Sequence, residues 1–162
     1  MRERDYSHLS SVAIVIPLYV LLVSFAVLRI AGLLGVTALD QVNLPLRIAL
    51  AAMFFLTASA HRGKRRSDLI QMVPSVFPRP ALLVSVSGVL EILGAIGLLI
   101  PAAARPAAIC LAILLLALFP ANVRAARHRL TIGGQRVPGI LLRASIQAIF
   151  VAALVIVAAQ IR

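Results

Sequence analysis

One carboxylate stands inside an apolar run: Glu91, in "SGVLEILGAIGLLIP", Ser87 to Pro101. An acid in such a place is a candidate for titration, for a proton relay or for hydrogen bonding between helices, because an ionisable group inside a membrane span is costly and turns toward the protein interior. On an α-helix Ser87, Gly88, Glu91, Gly94 and Ala95 share a stripe, and every member except the acid is small. Small residues let membrane helices approach closely, so the stripe predicts helix packing at Gly88, Gly94 and Ala95 and points Glu91 at a neighbouring helix or an internal cavity. Partners of suitable depth are at hand. Glu91 is about 15 Å from the start of its run, and Gln147 and Arg143 are about 10 and 5 Å from the start of theirs. Arg143 and Gln147 are four apart, share a helical face and offer the acid a cation and an amide. His61 and Asn122 end two other runs, and Pro120 frees a backbone carbonyl and can kink the helix that carries Asn122. Glu91, Gln147, Asn122, His61, Arg143 and Ser87 are therefore the candidate polar intramembrane cluster, expected to line one cavity.

The elements that must position these groups are set by composition. With 62% hydrophobic residues and a mean hydropathy of +1.05, the chain lies far above soluble usage and reads as an integral membrane protein. Its fold class is all-α, a polytopic transmembrane bundle forming a single membrane domain over residues 1–162. About five spans are expected, at residues 12–34, 45–61, 81–101, 105–124 and 139–161, with four as the rival count; a basic cytoplasmic loop occupies 62–80. The first run is longer than a signal-peptide core and lacks a clear cleavage site, so it is read as a span, with Arg29 snorkelling at its far end.

The formal charge of +11 would point to nucleic acid in a soluble protein. Here the spans account for it. Twelve of the 16 basic residues, Arg2, Arg4, Arg62, Lys64, Arg65, Arg66, Arg79, Arg124, Arg127, Arg129, Arg136 and Arg143, fall on one side of the bundle. The positive-inside bias then predicts a cytoplasmic N-terminus and an outward C-terminus, in a bacterial cytoplasmic membrane, with the bilayer as partner and no nucleic acid. In the basic loop Ser67 is expected to cap a short interfacial helix carrying Leu69, Met72, Val73 and Val76, with Pro74 ending it and the cations holding anionic headgroups.

Other chemistry is sparse. Cys110 is the only cysteine, so no intrachain disulfide, CxxC pair or thiolate cluster can form, and it is expected to pack. No HExxH, GxSxG or phosphate-binding glycine loop occurs, and neither His61 nor His128 has companions with metal-ligand spacing; no metal or resident cofactor is expected.

The runs "QMVPSVFPRP", "SGVLEILGAIGLLIP", "RPAAICLAILLLALFPANV" and "LLRASIQAIF", in that order and preceded by "ASAH", resemble the DoxX-like family of small bacterial membrane proteins over Leu46 to Phe150. The resemblance implies a compact four-helix core, with the first span as an N-terminal addition. It implies recurring polar positions at His61, Pro74, Gly88, Glu91, Pro120, Asn122 and Gln147. It also implies an association with quinol oxidation and thiol redox systems, hence a quinone ligand or a redox partner protein. The chain departs from a thiol-redox pattern in having one cysteine, and Arg62 stands where an aromatic often follows the histidine. Three functions are expected, in descending order: a small membrane subunit or scaffold binding an apolar ligand or redox partner, a proton-coupled transporter or pore using Glu91, and an enzyme acting on a lipid-soluble substrate with Glu91 or His61 as acid or base.

Overall fold

The computed structural model describes residues 5–132, 135–136 and 138–160, and the side chains of 15–132 and 138–160. Six helices account for most of it: α1 (Asp5–Leu33), α2 (Asn43–Ser59), α3 (Arg66–Met72), α4 (Pro80–Leu99), α5 (Pro101–Arg127) and α6 (Ile140–Gln160). A two-residue hairpin, β1 (Thr131–Ile132) with β2 (Gln135–Arg136), joins α5 to α6. The all-α class is as the sequence implies, with this short hairpin and a 3-10 turn at Thr37–Leu39 added among the described residues.

Proline sets the boundaries around α4. Val73 is extended (ψ 126°) because Pro74 follows it, and α3 stops there. Pro80 opens α4 at a position where its missing N–H costs nothing, after Arg79 in the left-handed region (φ 54°) between two prolines. Ile100 is extended before Pro101, which opens α5 at once, so α4 and α5 form a hairpin with a one-residue link. Ser67 is not a cap: its hydroxyl lies 3.4 Å from Lys64 O, and α3 begins after Arg65 with no side-chain cap bond. The helix itself docks, burying Met72 against Ala125 of α5. Val76 lies outside it, 82% exposed.

The long helices alternate in direction. Thr57 pairs with Glu91 and Arg47 with Leu98, which runs α2 antiparallel to α4; Leu115 and Asn122 meet Gln147 and Arg143, which does the same for α5 and α6. Asn43 at the start of α2 reaches Gln160 at the end of α6, closing a ring of α2, α4, α5 and α6. Helix α1 packs outside this ring, chiefly on α2. Inside it Leu50, Met53, Phe54, Leu98, Leu111, Leu154 and Val157 are fully buried.

Among the described residues four helices are long and apolar enough to cross a membrane: α1 over Val15–Leu33, α4, α5 and α6. The remaining expected span is α2, an apolar helix of 17 residues, at the lower limit of what can cross. It runs 43–59 and not 45–61, because Ala60 and His61 turn away. The large apolar side chains on the outer faces, among them Leu22, Val27, Leu93, Ile113 and Val155, are what a lipid-facing surface requires. Arg29 does not snorkel outward; it folds back to donate to Leu39 O (3.0 Å) and Asp40 O in the turn after α1. Cys110 also faces outward.

Candidate functional site

The predicted cluster forms as two networks on different helix pairs, both near the end of the ring that carries Arg62, Lys64, Arg65 and Arg66, termed here the basic end.

Between α2 and α4, Glu91 is 4% exposed and its Oε2 accepts a hydrogen bond from Thr57 Oγ1 at 2.8 Å. The same hydroxyl lies 3.0 Å from Phe54 O, the back-bonding position of a helical threonine. His61 sits just past α2 with Nδ1 3.2 Å from Thr57 O and 4.0 Å from Glu91 Oε2. Burial holds its imidazole below the ordinary pKa. Gly88 makes this approach possible, since a Cβ at that position would stand 2.7 Å from His61 Cβ. Arg66, the first residue of α3, braces the corner by donating to His61 O (3.1 Å), Ala81 O (3.1 Å) and Ser85 Oγ (2.8 Å). A recess of about 250 Å³ opens here. Ala58, Val89 and Ile92 give it an apolar wall, and His61, Arg62, Arg66 and Ser85 a polar one, with Gly88 between.

Between α5 and α6, Arg143 donates Nη2 to Asn122 Oδ1, Asn122 donates Nδ2 to Gln147 Oε1 (2.7 Å), and Gln147 donates Nε2 to Leu115 O (2.7 Å). Leu115 is next to Leu116, whose usual donor would be the N–H that Pro120 lacks, so the amide meets α5 beside its proline. Pro120 lies within a continuous helix rather than ending it.

The expectation that all six groups line one cavity is therefore corrected. Glu91 bonds Thr57 and not Gln147 or Arg143, and Ser87, though buried, donates to Val84 O of its own helix (3.1 Å). The reason lies in helical geometry. Gly88 and Gly94 are six residues apart, which leaves them about 120° apart around the axis. The small stripe thus serves two neighbours: Gly88 meets α2, whereas a Cβ on Gly94 would strike the Leu111 side chain of α5. Ala95 is fully buried in the core.

Thr57, Arg66 and Ser85 were not legible as site residues. Thr57 sits in an apolar run, although its place four residues before His61 puts both on one face. Arg47 was also missed: 6% exposed, it donates Nε to Leu98 O (2.6 Å) and so caps the orphan carbonyls at the end of α4.

A family model described as a domain of unknown function, DUF8561, matches residues 50–158, more than half of the chain. The chain belongs to the DUF8561 family. The DUF8561 match begins inside α2 and ends inside α6, so it takes in the ring and both networks and leaves α1 outside. Comparison with curated proteins and with solved structures finds no match.

Proposed function

We propose that this DUF8561 protein is a small membrane subunit that holds an apolar ligand with one polar end, of the quinone type, in the recess between α2 and α4. The observation that carries the reading is the recess itself. Its apolar wall suits a ring or chain, its polar wall offers donors, and Glu91, hydrogen-bonded to Thr57, stands 4.0 Å behind the His61 of that wall. Kinship with DoxX-like proteins and docking of a redox partner belong to the same reading and rest on the four sequence runs that resemble that family. So does a bacterial cytoplasmic membrane with the basic end and N-terminus inside and the C-terminus outside, for which the gathering of Arg62 to Arg66, Arg79, Arg124 and Arg127 at one end of alternating helices is the support.

Use of Glu91 as a transport relay is the weaker reading. Beyond Glu91, toward the α4–α5 hairpin, the ring is filled by Leu50, Met53, Phe54, Leu98 and Leu111, and this apolar layer offers a proton or solute no polar path.

Native mass spectrometry with an absorption spectrum, on gently extracted protein and on Val89→Trp, tests the proposal. Val89 lines the recess but is 47% exposed, so the bulkier ring fills the space without entering the core. A lipid-soluble ligand retained by the parent chain and lost from Val89→Trp, at unchanged melting temperature, is expected. A bare chain in both cases, or equal retention in both, overturns it.

A further inference from the structure

Arg143 is 7% exposed, and among the described residues its Nε and Nη1 have no hydrogen-bond partner. Only Nη2 is engaged, by Asn122 Oδ1. The chain that holds it runs through two amides to the Leu115 carbonyl, which orients the guanidinium but supplies no negative charge. Among the described residues no carboxylate pairs with Arg143; a guanidinium keeps its proton, and a buried cation without a counter-charge is strongly unfavourable.

Position says where the missing charge comes from. Arg143 is the fourth residue of α6, about 5 Å along the axis from Ile140, and a helical side chain leans toward the N-terminus of its helix. The first i→i−4 bond at this end is Arg143 N to Gly139 O (3.3 Å), so the N–H groups of Ile140, Leu141 and Leu142 have no partner within the helix. Arg124 and Arg127, in the last turn of α5, add positive charge at the same end.

We propose that Arg143, held by Asn122, binds a phosphate oxyanion between the basic ends of α5 and α6. Arginine donors and helix N-termini both suit phosphate oxygens, and one turn inside a membrane helix is the depth of the headgroup layer. The phosphate of an anionic lipid and free phosphate share this chemistry. Nε and Nη1 are closed off from solvent in this conformation, so the two helix ends part to admit the anion. The site is on a different helix pair from the recess and stands independently of it.

The test is thermal melting of delipidated protein in detergent with phosphatidylglycerol, phosphatidylcholine or inorganic phosphate added. Phosphatidylglycerol or phosphate is expected to raise the melting temperature of the parent chain. The half-saturating concentration should rise at least tenfold in Arg143→Gln and several-fold in Asn122→Ala, which keeps the cation but frees it. A triple variant Arg62→Gln, Lys64→Gln, Arg65→Gln should retain the response. Protection by phosphatidylglycerol alone assigns the site to a lipid; equal protection by phosphate assigns it to the free ion. No protection of the parent chain, protection by phosphatidylcholine equal to that by phosphatidylglycerol, or loss in the loop triple but not in Asn122→Ala overturns the proposal. Asn122→Ala carries the test if Arg143→Gln does not fold.

Discussion

The α2–α4 and α5–α6 faces of the ring solve opposite problems. Toward the basic end one buries an acid beside a hydroxyl and an imidazole; the other buries a cation beside two amides. The acid and the cation lie toward the same end, yet each is held by its own helix pair. Removing a buried polar group's hydrogen-bond partner costs its desolvation as well as the bond, so both networks are costly to leave half made. The difference teaches that a buried ionisable group in this fold is positioned by uncharged hydrogen-bond partners, which seats the acid behind the His61 that lines the recess and leaves the cation with donors to spare.

The largest effect expected from breaking this comparison is at the contact that admits the acid's neighbour. Gly88→Leu forces α4 away from His61 and should cost about 3 kcal/mol, read as a fall in melting temperature, with the recess lost as well. Next come the neutral holders. Asn122→Leu strips a charged group and an amide of partners and should cost about 2–3 kcal/mol, whereas Thr57→Val removes one hydroxyl from Glu91 and should cost about 1–2 kcal/mol. The reverse order would mean that the α2–α4 network dominates the stability of the ring. The smallest effect is the most telling. Glu91→Gln and Arg143→Gln should be additive within about 0.5 kcal/mol in a double-mutant cycle, because the two side chains share no bond. A larger coupling would show that the charges pair.

Much of the fold was open to reading along the chain. Apolar runs, prolines at 74, 80 and 101 and the arginine bias are local signals, and they place the helices, their ends and the membrane class before any packing is known. The candidate site was legible in its membership and not in its partnerships. Glu91, Gln147, Asn122, His61 and Arg143 are conspicuous because polar groups are costly in apolar runs, and all five are positioned at helix interfaces or ends. Thr57 escaped notice because one hydroxyl in "MFFLTASA" carries little signal by itself.

The sequence by itself determined that this is a membrane-embedded helical protein with one acid and several arginines set inside its spans, since burial of apolar length and rejection of unpaired polar groups follow from composition alone. Only the tertiary structure decided which groups meet. Depth along a helix is a sum over residues, but azimuth between helices depends on crossing and close approach. The close approach of Gly88 of α4 to His61, just past α2, and of Gly94 of α4 to Leu111 of α5 turned one predicted cavity into two separate networks.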